Sequence, residues 1–246
     1  MVTGGGWKAI VGGGDPYAVA YAIYQSVLDI STLTGSVMQV TNITQASVGV
    51  VSTLLNHGYA NGQVVQMTGV LGMTTINNIP LTVTVIDEKT FSIGISTLIM
   101  PAYVSGGVLT PNFRNNLIAI RDYPDVYQIP YVSPPQQAVT MTVLWNTSAV
   151  NYINNSAVAQ LAAPAVAAVI NAISVGQPIN VYDLESAFRD AVSPILPNAL
   201  LTRMLFEVSI NGIGTAPVSG TGTINGDPES YFLTDSLGGD ITVQRG

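Results

Sequence analysis

Two stretches of 57 residues each, 30–86 and 126–182, contain no Asp, Glu, Lys or Arg. A fold built from such tracts must cover its outer faces with neutral hydrogen-bonding side chains or press them against neighbours. Isolated domains spread charge over their solvated faces, whereas the centres of protein interfaces are depleted of it. Assembly with other chains is therefore the expectation, and a sandwich with an outer face rich in Thr, Asn and Ser is the other reading. Over the whole chain the charged residues are 7 Lys+Arg and 14 Asp+Glu, only 9%, against roughly 25% in an ordinary domain. Ser, Thr, Asn and Gln number 69, so solubility rests on neutral polar groups.

Val, Ile and Thr number 75 of 246 residues, and 24 Gly and 14 Pro punctuate them. β-Branched residues lose χ1 freedom in helices and pack well on pleated sheets, so many short strands and tight turns are expected. An apolar content of 48% with a net charge of −7 is that of a folded chain rather than a disordered one.

The charge balance also excludes partners. Seven scattered cations cannot lay a basic track for phosphates, so neither nucleic acid nor an anionic membrane surface is expected as a partner. The absence of cysteine removes disulfides, thiolate metal sites and cysteine nucleophiles, in keeping with a reducing compartment. A mean hydropathy of +0.41 raises the question of a membrane span. The longest candidate, residues 157–175, is interrupted by Gln160, Pro164, Asn171 and Ser174 and is mostly Ala, a poor span. Gly4-Gly5-Gly6-Trp7-Lys8 lacks the layout of a signal peptide, so a soluble chain made in the cytoplasm is expected.

Along the chain, residues 7–11 read as a short strand leading into Gly12-Gly13-Gly14. Asp15-Pro16 then starts a helix to about residue 28, because the carboxylate can accept from orphan N–H groups and proline at the first position needs no donor. Tyr17, Tyr21, Tyr24 and Leu28 form one stripe of that helix, and Val19, Ala20, Ile23 and Val27 form a second. Such a helix is expected to pack on two sides, within the fold or against a partner. Strands are expected at 39–44, 48–54, 63–68, 81–86 and 90–95, making a small β-barrel, with Gly106-Gly107 and Thr110-Pro111-Asn112 as its exit linker. Two strands flank the turn Asp122-Tyr123-Pro124-Asp125, and Pro134-Pro135 marks a boundary.

Beyond the boundary, a strand at 138–146 precedes a helix at about 156–173, kinked or split by Pro164. Asn180 caps a second helix to residue 192, with Asp183 in its first turn and Glu185–Arg189 as an i,i+4 pair. Strands at 202–210, 216–224, 230–233 and 240–245 follow. The expected fold is α+β and β-rich. Residues 1–37 and 109–134 make a discontinuous α+β core domain, and 38–108 an inserted small β-barrel. Residues 135–246 make a C-terminal assembly module of two helices on an antiparallel sheet.

No motif assembles a reaction centre. Gly12-Gly13-Gly14 resembles a phosphate loop only in position, for no Gly-Lys-Ser/Thr follows and Asp15 occupies the place of the anion. His57, the single histidine, has no serine elbow and no carboxylate companions in its tract, and reads as a turn residue. Asp87/Glu88, Asp122/Asp125, Asp183/Glu185 and Asp227/Glu229 are near one another in sequence. Asp227-Pro228-Glu229 after Asn225-Gly226 reads as a solvated hairpin turn. No catalytic residue, cofactor site or metal site is expected. A peptidoglycan hydrolase would require two carboxylates facing each other across a cleft.

Two resemblances add to this reading. Residues 57–93 resemble the small β-barrel module named after the first catalytic-cysteine half-domain of ubiquitin-activating enzymes, which also occurs as an insertion in phage structural proteins. His57, Gly58, Gly62, Val64, Asn77, Asp87, Thr90 and Phe91 carry it, and without a cysteine no thioester chemistry comes with it. Residues 11–33, 121–147 and 173–191 are similar to the baseplate J-like proteins of contractile-tailed phages. That resemblance implies a structural wedge subunit of the tail baseplate, in a homo-oligomeric ring with other baseplate proteins around the tail hub, located in the virion. The match starts midway through that family's layout, at Met1-Val2-Thr3-Gly4, so an N-terminal part is expected to be missing or replaced. Tyr17, Tyr21 and Tyr24, with Val181, Leu184 and Phe188 on the second C-terminal helix, are the candidate packing and interface residues. The alternative is a receptor- or glycan-binding tail module, in which an exposed Tyr59 stacks on a sugar of the host surface beside Asn61 and Gln63.

Overall fold

The computed structural model describes residues 6–148 and 153–246. The opening Met1-Val2-Thr3-Gly4 lies outside the described residues. The chain divides into two compact units, Met1–Pro134 and Pro135–Gly246. The described residues are β-rich with three α-helices, an α+β fold.

In the first unit, helix α1 (Pro16–Ser26) begins as its sequence requires, with the Asp15 carboxylate accepting from the Ala18 N–H at 2.9 Å. Residues 7–11 make no strand. Trp7 bridges Leu33 and Ile10 bridges Val132 singly, because the segment changes partner partway, Trp7 bonding Thr32 and Thr34 while Ala9 and Val11 bond Val132. Seven strands follow: β1 (Met38–Ile43), β2 (Val50–Thr53), β3 (Val64–Leu71), β4 (Leu81–Thr82), β5 (Thr84–Val85), β6 (Thr90–Ser92) and β7 (Ser105–Thr110). They form an antiparallel sheet in the order β4-β3-β7-β1-β2-β6-β5. Its two outermost strands are consecutive in sequence with only the buried Val83 between them, so the sheet curls into a nearly closed barrel. Alternate residues point inward: Met38, Val40, Val51, Val65, Met67, Leu81, Phe91 and Leu109 are all buried in one core.

β7 corrects the expectation of a linker at Gly106-Gly107. These residues lie in a strand between β1 and β3, pairing Leu109 with both Met38 and Met67. The glycines serve close approach, for Gly106 has φ +76° and a Cβ there would stand 2.5 Å from the Gly69 carbonyl oxygen. The unit ends in a hairpin of β8 (Asn115–Asp122) and β9 (Asp125–Val132), in register from Asn115↔Val132 to Asp122↔Asp125. Ile120, Ile129 and Tyr131 on one face of this ribbon pack with Ala20 of α1 and with Leu33.

The second unit is built on the long strand β10 (Gln136–Thr147), which reads buried and exposed in strict alternation over its first half. Helix α2 (Asn155–Asn171) runs through Pro164 without a break, correcting the expectation of a split. One buried face of Val158, Ala162, Val166, Ala167 and Ile170 holds it on the sheet, so a single missing N–H is tolerated. β11 (Ile179–Asn180) leads directly into α3 (Val181–Val192), with Asn180 Oδ1 accepting from Tyr182 N–H at 3.1 Å. The Arg189–Glu185 pair stands at 3.6 Å.

Strands β12 (Leu201–Ile210), β13 (Ile213–Thr215), β14 (Thr223–Ile224), β15 (Tyr231–Leu233) and β16 (Ile241–Arg245) complete the unit. The expected strand at 216–224 is instead a largely exposed loop over 216–222, with only Thr223–Ile224 in a strand. The sheet is mixed rather than wholly antiparallel. β12 pairs antiparallel to β10, but β15 and β16 run parallel to it. Parallel return needs a long connection, which the chain between β13 and β16 supplies. No helix among the described residues is long and apolar enough to cross a membrane.

Candidate assembly surface

Helix α1 is covered on one side only. Ala20 is its one fully buried residue, and Tyr24 is held between the ribbon and solvent. The Tyr24 hydroxyl donates to Asp122 Oδ2 at 2.5 Å, and its ring lies 5.3 Å from that of Tyr127. Donation to this carboxylate, with burial and the negative charge adding to it, pushes the Tyr24 hydroxyl up to about 12. Tyr17 and Tyr21 are 52% and 43% exposed, with rings stacked 6.3 Å apart at 7°. Packing on two sides is thus incomplete among the described residues, because the stripe reaches the ribbon only through Tyr24 and leaves Tyr17 and Tyr21 turned outward. Beside α1 runs an apolar groove of about 350 Å³, bounded by Trp7, Ala9, Val11, Val19, Ile23 and Val27. The flanking Leu28 is fully exposed.

The candidates on α3 have a different place. Leu184 and Phe188 are fully buried in the core of the second unit, and Val181 packs partly buried against it. They join α3 to α2 and the sheet, while Tyr182 on the opposite side is 66% exposed. The exposed aromatic surface therefore belongs to α1 rather than to the apolar stripe of α3.

The barrel's signature residues are consumed by the fold. His57 Nδ1 accepts from Tyr59 N–H at 2.9 Å, which puts the ring proton on Nε2, 2.9 Å from the Asp87 carbonyl oxygen. The imidazole stacks on Tyr59 at 5.2 Å, and Phe91 stands edge-on to both rings. Gly58 and Gly62 have φ of +64° and +85°. Asn77 clamps Val70, accepting from its N–H at 2.9 Å and donating to its carbonyl at 3.0 Å. Asp87 gathers the N–H groups of Lys89 and Thr90 and the Thr90 hydroxyl at 2.7–2.8 Å, closing the β5–β6 turn.

Burial holds the His57 imidazolium below its ordinary 6.5, although the Asp87 carbonyl and the Asp87 and Glu88 carboxylates pull the other way. The Thr90 hydroxyl and the turn N–H groups hold the Asp87 carboxyl below its ordinary 3.8. Between the folded and unfolded values of His57 the unfolded chain binds more protons, so stability falls as pH drops through that window. The Asp87 contribution is present above 3.8 and is lost only at more acid pH. His57 is the single histidine. The expected result is a urea midpoint that declines as pH is lowered from neutrality through 6.5, and a decline in this range that His57→Gln abolishes.

Two site expectations are corrected here. Tyr59 is 6% exposed rather than open to a ligand, since His57, Phe91 and Phe113 enclose its ring and its hydroxyl donates to the Pro111 carbonyl at 3.0 Å. Its neighbours are also engaged, Asn61 Oδ1 with Val85 N–H and Gln63 Oε1 with Ala60 N–H. Asp227 and Glu229 are not a solvated turn, being 3% and 5% exposed. Gln137 Oε1 accepts from Asp227 N–H at 2.7 Å, and Gly226 lets the loop lie against Gln137 and Phe232, where a Cβ would collide. Among the described residues no group of three or more His, Asp or Glu is placed to hold a metal ion.

Comparison with known proteins agrees with the barrel's geometry. The sequence model of one family, the ubiquitin-activating enzyme E1 FCCH domain, matches residues 46–111. That span contains β2 to β7 and the residues that clamp the barrel's turns. No curated protein matches the chain.

Proposed function

We propose that this chain is a structural subunit of a contractile phage tail baseplate, a wedge component that packs against copies of itself and other baseplate proteins around the tail hub. The observation that carries this reading is α1, a helix whose Tyr17, Tyr21 and Leu28 and flanking apolar groove are left open among the described residues. Two charge-free tracts of 57 residues support it, because surfaces that bury against neighbours lose stability with every desolvated charge. The resemblance of residues 11–33, 121–147 and 173–191 to baseplate J-like proteins names the assembly. The barrel is a rigid insertion in that subunit, and the role is mechanical rather than catalytic.

Immunoelectron microscopy of tails from the native source tests the proposal. Label ringed at the distal end of the tail supports it, whereas label along projecting fibres or absent from particles overturns it. The double variant Tyr17→Ser/Tyr21→Ser tests the surface. Both rings are about half exposed, so the thermal midpoint is expected to stay near that of the native chain while incorporation into particles is lost.

A further inference from the structure

The β8–β9 ribbon has two edges that the sequence treats differently. The bond from Ser133 N–H to the Arg114 carbonyl fixes the phase of the ladder. Residues 116, 118, 120 and 122 exchange bonds across the ribbon, and the residues between them direct N–H and C=O outward. On β9 the outward positions are 126, 128, 130 and 132, and the two farther from the turn are guarded, which leaves only Val126 and Gln128 open. Pro130 has no N–H, and Val132 is paired with the backbone of Ala9 and Val11. On β8 the outward positions Leu117, Ala119 and Arg121 make no backbone bond to any described residue. The segment carries no proline, and Leu117 is 63% exposed. Three consecutive outward positions left open in this way are a template for another strand.

We infer that the open edge of β8 pairs antiparallel with β8 of a second copy of this chain, about a two-fold axis through Ala119. This goes beyond the baseplate reading and does not depend on which particle contains the chain. The register follows from the groups available. Centring on Ala119 sets Leu117 of each copy opposite Arg121 of the other and engages all three free N–H and all three free C=O groups of each strand. Centring on Arg121 would set two guanidinium groups face to face, which is destabilising. Centring on Ala119 leaves no like charges opposed and puts the smallest side chain on the axis. The product is a four-stranded sheet, β9-β8-β8-β9, in place of two two-stranded ribbons that are marginal by themselves. Strand spacing of about 4.8 Å sets the ribbon centres about 10 Å apart, the distance at which the two α1 helices above them can pack.

Sedimentation equilibrium of the full chain is expected to give twice the 25.7 kDa chain mass at tens of micromolar. Ala119→Arg, which opposes two cations on the axis, is expected to return the monomer mass with an unchanged circular dichroism spectrum. The chain has no cysteine, so Ala119→Cys introduces a single thiol. Paired Cα atoms about 5.5 Å apart lie within disulfide reach. Mild oxidation is thus expected to cross-link Ala119→Cys into a covalent dimer and to leave Gln128→Cys, on the opposite edge, uncross-linked. A monomeric native chain, a larger species unaffected by Ala119→Arg, or equal cross-linking of the two cysteine variants would overturn the inference. If Ala119→Arg fails to fold, the comparison of the cysteine variants decides it.

Discussion

Trp145→Ala is expected to destabilise the C-terminal unit by about 3–5 kcal/mol, the usual range for truncating a buried tryptophan. Trp145 is fully buried in the core formed by β10, the helices and β16. It is also the pivot of a polar chain. Its Nε1–H donates to Asn155 Oδ1 at 2.9 Å, Asn155 Nδ2 donates to the Val243 carbonyl at 2.9 Å, and Arg245 stands 5.6 Å from the indole centroid. Truncation opens a cavity and leaves a part-buried acceptor without its donor. Trp145→Phe restores most of the volume but not the donor, so it is expected to lose only about 1–3 kcal/mol. Urea unfolding followed by far-ultraviolet circular dichroism measures both. The chain's other tryptophan, Trp7, lies in the first unit and keeps an independent fluorescence signal in both variants.

Gly107→Ala is expected to cost about 2–5 kcal/mol, from backbone strain and overpacking together. Its φ is +99°, and an added Cβ would meet Val70 Cγ2 at 2.9 Å and Val40 Cβ at 3.1 Å, both inside the barrel. Neither valine can swing away, because each is itself about 1% exposed and packed from behind. Gly58→Ala is the matched control. Its φ is +64° with nothing within 4 Å of the added carbon, so only the backbone term of about 1 kcal/mol remains. Thermal midpoints of the two variants separate the two terms, and equal shifts would refute the close-packing account of β7.

Gly107 also shows where sequence reasoning stops. A pair of glycines after five strands reads as a linker, since the local signal for a loop and for a tightly approached strand is the same residue. Only the non-local neighbours Gly69, Val70 and Val40 distinguish them. Tyr59 failed for a related reason. Its polar, glycine-containing surroundings suggest solvent, but Gly58 turns the ring back between His57 and Phe91. The parallel pairing of β16 with β10 is set by partners about a hundred residues apart, which periodicity does not encode. Local signals fared better. Asp15-Pro16 and Asn180 mark their helix starts, and Asp122-Tyr123-Pro124-Asp125 marks its hairpin, because capping and turn chemistry is completed within a few residues. The exposure of Tyr17 and Tyr21 was legible only as a stripe, as a helical pattern does not say which of two apolar faces finds a partner in its own chain.

The first and last strands of the barrel, β1 and β7, are direct neighbours, with Met38 opposite Leu109. The chain therefore leaves the barrel beside the point where it came in. To the polypeptide that carries it, the whole module occupies the footprint of a tight turn. Such an insertion can be gained or lost in evolution without moving the segments on either side. Its two end strands, β4 and β5, are only two residues long, so it also brings little free edge that could capture a wrong neighbour.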